Sequence, residues 1–80
     1  MRWTIGHTRR IDPGADDEIS HAAVVQIENG SEVRRVIVEL TRSAADDGYR
    51  FDPAAAVEGF LDLHDPPGRL VVSTAGVTPA

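Results

Sequence analysis

Two apolar-rich runs, 19–28 and 31–42, flank the dipeptide Asn29-Gly30. That arrangement predicts a β-hairpin, because a type I′ turn needs φ > 0 at both central positions and Asn-Gly supplies it. A two-residue turn at 29–30 pairs Glu28 with Ser31. The ladder then sets Ile27 opposite Glu32, Val25 opposite Arg34, Ala23 opposite Val36, His21 opposite Val38 and Ile19 opposite Leu40. Directly opposed residues share a face. One face therefore collects Ile19, Ala23, Val25, Ile27, Val36, Val38 and Leu40, and a slip of one residue would scatter the set. The other face pairs Ser20 with Glu39, Ala22 with Ile37, Val24 with Arg35 and Gln26 with Val33. It is mixed where a solvent face is expected to be polar.

The flanking segments read less sharply. Residues 2–11 alternate as a strand, with Trp3, Ile5 and Ile11 on one parity and Arg2, Thr4, Thr8 and Arg10 on the other. Residues 12–18 are a polar loop opened by Asp12-Pro13-Gly14, and 43–51 is an ambiguous stretch broken by Gly48 and anchored by Tyr49 and Phe51. Asp52 suits an N-cap and Pro53 the first helical position. The stripe Ala56, Val57, Phe60, Leu61, Leu63 and His64 then marks the buried side of a helix that stops at Asp65-Pro66-Pro67-Gly68. Residues 69–75 read as a strand, and 76–80 as a flexible C-terminal tail.

The predicted order is β-β-β-α-β. The expected fold class is α+β, a four-stranded mixed sheet with one helix packed on one face, forming a single domain over 1–75. The strand–helix–strand crossover is expected to be right-handed if its strands are parallel, with the last strand placed beside the first.

Composition bounds the rest. Eighty residues make one domain, 41% of them hydrophobic, and a chain this short buries only about 60–65% of its unfolded surface. Cysteine is absent, which excludes disulfides, thiolate nucleophiles and cysteine-ligated zinc. The N-terminal residues hold no apolar run fit for a signal segment, and no stretch approaches a membrane span. The expected location is cytoplasmic, with no membrane partner. The net charge is −5, and all eight basic residues are arginine, as in proteins encoded by GC-rich bacterial genomes. Residues 1–42 hold six arginines against seven acids, and 43–80 hold two against six. That balance disfavours non-specific nucleic-acid binding, which needs a basic footprint.

No motif commits the chain to a chemistry or attaches it to one family. His7, His21 and His64 lack metal-ligand spacing. Their ordinary readings are a strand histidine without a partner, a core-edge histidine and a cation at a helix C-terminus. The acids Asp16-Asp17-Glu18 and Asp46-Asp47 fall in loops without the EF-hand spacing. Ser20, Ser31, Ser43 and Ser73 lack a nucleophile-elbow context, and glycine-rich phosphate loops are absent. No catalytic residue, cofactor or metal is expected, and the non-enzymatic reading leads.

That reading is a small protein-interaction module, self-associating through the mixed sheet face as a homodimer or docking on another protein. Its contact residues are Ala22, Val24, Val33, Arg35, Ile37 and Glu39. One helix covers one face of a sheet, and the apolar residues of the other need either a second copy or the 43–51 loop over them. The second reading is a nucleic-acid contact through Arg2, Arg10 and Arg35. The third is a small metal-dependent or catalytic domain using the histidines.

Overall fold

The computed structural model describes residues 2–11, 18–61 and 68–79, with the side chains of Phe60 and Leu61 left aside. The elements are β1 (Arg2–Ile5), β2 (Arg9–Arg10), β3 (Ile19–Asn29), β4 (Glu32–Thr41), α1 (Arg42–Asp46), α2 (Pro53–Leu61), β5 (Arg69–Ser73) and β6 (Gly76–Pro79). They form an α+β fold with one mixed sheet. Its order is β1-β3-β4-β5-β6, with β2 also paired to β3. Every pairing is antiparallel except that of β4 with β5.

The β3–β4 hairpin is the spine of the sheet, and its turn differs from the expected one. Asn29 pairs with Glu32, so the loop residues are Gly30 and Ser31. Gly30 has φ +64°, and no non-glycine residue has positive φ among those described. Positive φ at the first loop position alone is the type II′ pattern, which also matches the twist of the flanking strands. The ladder therefore runs Ile27–Arg34, Val25–Val36, Ala23–Val38 and His21–Leu40. It sits two residues along β4 from the expected pairing. A shift of two preserves parity, so from His21 to Glu28 both faces keep their expected members, while Ser20, expected on the open face, does not stay there. At the far end the register slips between Ile19 and His21. This bulge turns both Ile19 and Ser20 inward, at 7% and 6% exposure.

The first predicted strand is two strands. β1 runs in register Trp3–Ile27 and Ile5–Val25, whereas β2 runs Arg9–Ala22 and Arg10–His21. Gly6 to Thr8 leave the ladder between them after the Gly6 N–H donates to the Val24 carbonyl at 2.9 Å. The one-residue offset exchanges faces, so Arg9 lies on the face expected for Arg10.

Residues 43–51 hold a short helix and its cap. The Thr41 hydroxyl accepts from the Ala44 N–H at 3.2 Å, capping α1 at its N-terminus. At the other end Gly48 takes φ +89°. Its N–H reaches the Ala45 carbonyl, and the Tyr49 N–H reaches that of Ala44, at 3.1 and 3.0 Å. These two bonds are the Schellman pattern, which favours glycine at Gly48. Asp52 caps α2 as expected, its carboxylate accepting from the Ala55 N–H at 3.2 Å.

The strand at 69–73 pairs with β4, in register Val38–Leu70 and Leu40–Val72, and not with β1. This parallel pair is joined through both helices where one was expected, and its place in the sheet, beside β4 and not beside β1, differs from the expected one. Residues 76–79 form an edge strand in place of the expected tail. The Ser73 hydroxyl donates to the Gly76 carbonyl and accepts from the Ala75 N–H, closing a tight turn, and Val77 packs on the core.

The core lies between one sheet face and α2. Val25, Ile27, Val36, Val38 and Leu70 meet Ala56 and Val57, with Trp3, Phe51, Val72 and Val77 around them. Leu63 and His64 of the predicted stripe lie outside the described residues, as do the side chains of Phe60 and Leu61. No helix among the described residues is long and apolar enough to cross a membrane.

Candidate functional site

The face of the sheet away from α2 is built in cross-strand rows. Arg2, Glu28 and Val33 form the row nearest the hairpin turn, then Thr4, Gln26 and Arg35. Gly6, Val24, Ile37 and Arg69 follow. The last row is Arg9, Ala22, Glu39, Val71 and Thr78. All six expected contact residues, Ala22, Val24, Val33, Arg35, Ile37 and Glu39, lie on this face. The pairings within it move: Val24 is opposite Ile37, Ala22 opposite Glu39, and Val33 opposite Glu28.

Val24 and Ile37 are 41% and 44% exposed at the centre of the face, and Val33 is 51% exposed near its end. Polar side chains frame the centre and hold each other. The Arg35 Nε donates to the Gln26 Oε1 at 3.1 Å, and the Gln26 Nε2 donates to the Glu28 Oε1 at 2.9 Å. On the other side Glu39 pairs with Arg69, which reaches it from β5. Sequence parity exposes Gln26, Glu28 and Arg35 together. Arg69 arrives only through the long-range β4–β5 pairing, which no local pattern announces.

Where β1 gives way to β2, the sheet has a shallow open depression of about 440 Å³ lined by Gly6, His7, Arg9, Ala22, Ala23, Val24 and Ile37. The cause is local: Gly6 has no side chain, and the break at Gly6–Thr8 removes a neighbour from the edge of β3. An isolated glycine in an alternating run is the signal that marks such a break.

The loop alternative for covering this face does not match the contacts of the loop. Phe51 packs on the core with α2, on the opposite side, and its ring lies 6.0 Å from that of His21. The Tyr49 hydroxyl donates to the Thr74 carbonyl at 3.4 Å, at the β5–β6 turn.

The three arginines of the nucleic-acid reading do not assemble. Arg2 and Arg35 share the open face, but Arg35 is held by Gln26, and Arg10 sits opposite His21 on the α2 side. The residue that does join the open face is Arg9. No aromatic side chain among the described residues stands there as a stacking platform.

His7 and His21 lie in different surroundings. His7 borders the depression, and His21 is half-buried under Phe51 with its Nδ1 2.8 Å from the buried Ser20 hydroxyl. His64 and Asp65 lie outside the described residues, as do Asp12, Pro13, Gly14, Asp16 and Asp17. Among the described residues no group of three or more His, Cys, Asp or Glu side chains could hold a metal ion. Ser31 and Ser43 are exposed at a turn and on α1, and Asp46 and Asp47 lie at the C-terminal end of α1. Comparison with family models, curated proteins and solved structures finds no match to the chain.

Proposed function

We propose that the protein is a small, non-enzymatic interaction module that self-associates through the open sheet face. The observation that carries this reading is the directly paired Val24 and Ile37, both more than two-fifths exposed, in the middle of a sheet face rather than at its rim. Isolated exposed apolar residues are ordinary, but an apolar centre ringed by hydrogen-bonded polar side chains has the anatomy of a contact surface. Ala22 and Val71 extend the apolar centre, and Arg35, Gln26, Glu39 and Arg69 ring it.

Self-association suits the geometry because a partly apolar sheet face can pack on a copy of itself, as in two-layer sheet packing. A nucleic-acid surface is the weaker fit, since Arg35 is engaged by Gln26, Arg69 by Glu39, Arg10 lies on the other face, and the described residues place no stacking rings on this one. The test is Ile37→Glu with mass measured by light scattering. The wild-type protein is expected to run as a dimer at high micromolar concentration, and Ile37→Glu as a folded monomer. A monomeric wild type would refute the reading. Firm, salt-sensitive retention of such a monomer on heparin would transfer the face to a polyanion.

A further inference from the structure

The two sides of the open face are complementary to each other in charge and in relief. On the β1/β2 side of β3 lie Arg9 and the Gly6–His7 end of the depression, which runs across Val24 to Ile37 as its far wall. On the β4 side lie Glu39 and the exposed Ile37. The matching features occupy the same rows: Arg9, Ala22 and Glu39 in one, Gly6, Val24 and Ile37 in the next. Neighbouring strands are about 4.8 Å apart, so Arg9 and Glu39 stand roughly 10 Å apart across Ala22. Arg9 has no ion-pair or hydrogen-bond partner among the described residues.

We propose that a second copy docks on this face about a two-fold axis that runs along β3, over Ala22 and Val24. Arg9 of each copy then meets Glu39 of the other, and Ile37 of each enters the other's depression over Gly6. This rests on the reading of the face as a self-association surface and specifies its geometry.

Rotation about an axis along β3 exchanges the two sides of the strand and keeps each row at its own level. Arg9 is carried over Glu39, and Ile37 over Gly6, twice each by symmetry. Ala22, the smallest side chain of β3 on this face, falls on the axis and lets the two sheets approach. Val24 meets Val24 of the second copy. An axis across the strands would instead set Ile37 against Glu39 and leave Arg9 over Gly6, matching neither charge nor shape. Glu39 is already held by Arg69, with only 14% of its side chain exposed. Arg9 of the second copy would give the carboxylate a second guanidinium, a charge-assisted contact with directional geometry. Glu28 also lies near the axis, at the end of the face nearest the hairpin turn, where its carboxylate accepts from Gln26.

The test is a charge exchange read by sedimentation equilibrium on the full chain, with circular dichroism melts to show that each variant is folded. Arg9→Glu alone and Glu39→Arg alone each place like charges together twice in a homodimer. Each is expected to weaken dimerisation by more than roughly tenfold. An equimolar mixture of the two variants places opposite charges at both contacts, so it is expected to recover a mixed dimer. Gly6→Val, which fills the depression without disturbing a charge, is expected to weaken the dimer as well. Dimers that survive Arg9→Glu but split with Ile37→Glu would overturn this geometry and leave the self-association reading standing. Single variants that weaken without recovery on mixing would overturn the two-fold arrangement. A wild-type monomer would overturn both.

Discussion

Gly30 and Asn29 show how one residue settles a turn. The Asn-Gly pair suggested that both residues were loop residues, yet only Gly30 takes positive φ, and Asn29 is a paired strand residue opposite Glu32. A type II′ turn asks for glycine at its first position alone. Gly30→Val is therefore expected to cost about 1–3 kcal/mol, because a β-branched residue is strained at φ +64° although no atom lies within 4 Å of its Cβ position. Asn29→Ala is expected to change stability by no more than about 0.5 kcal/mol, as at an ordinary surface position. Urea unfolding of the two variants separates the turn types, since in a type I′ turn both substitutions would strain the backbone. A marked loss for Asn29→Ala would count against the turn described here.

At the scale of the element, capping was the most legible signal and tail chemistry the least. Asp52 stands before Pro53 and three alanines, and it does cap α2. Asp52→Ala is expected to cost roughly 0.5–2 kcal/mol, with Asp52→Asn recovering most of it; chemical denaturation measures both. The α1 cap was equally present in Thr41, Ala44 and Gly48 but was hidden because Thr41 also ends a strand. Residues 76–79 looked like a tail since Gly, Thr and Pro surround a single valine. Pairing with β5 and the packing of Val77 on the core make them a strand. Removing residues 76–80 is accordingly expected to lower the melting temperature and expose the edge of β5. An unchanged melt would mean that β6 adds nothing to the stability of the sheet.

For the whole molecule the decisive contact is the parallel pairing of β5 with β4. It places Leu70 at the centre of the core, fully buried among Val25, Val36, Val38 and Val57. Leu70→Ala is expected to cost about 2–5 kcal/mol. A domain of this size has roughly 4–12 kcal/mol in total, at 0.05–0.15 kcal/mol per residue. The variant is therefore expected to lose a large share of that stability, which urea unfolding would read. An unchanged unfolding midpoint would place the core elsewhere. The same pairing brings Arg69 to Glu39, an interaction that is half exposed on the arginine side and worth little by itself. Its consequence is positional, since it holds a carboxylate on the open face.

The alternation of 19–28 and 31–42 determined the two faces of the hairpin, because parity survives a register shift of two. That is why the buried set and the six open-face residues were readable from the chain alone. Asp52 and Pro53 likewise determined the start of α2, a matter of local hydrogen bonding. What only the tertiary structure decided were the matters local pattern does not carry. The break at Gly6–Thr8 moved Arg9 onto the open face in place of Arg10. The β4–β5 pairing set the strand order and delivered Arg69 to Glu39. Core packing drew Phe51 to the α2 side, leaving Val24 and Ile37 exposed. Each depends on residues far apart in the chain competing for the same neighbours, and that competition is resolved only when the whole sheet is assembled.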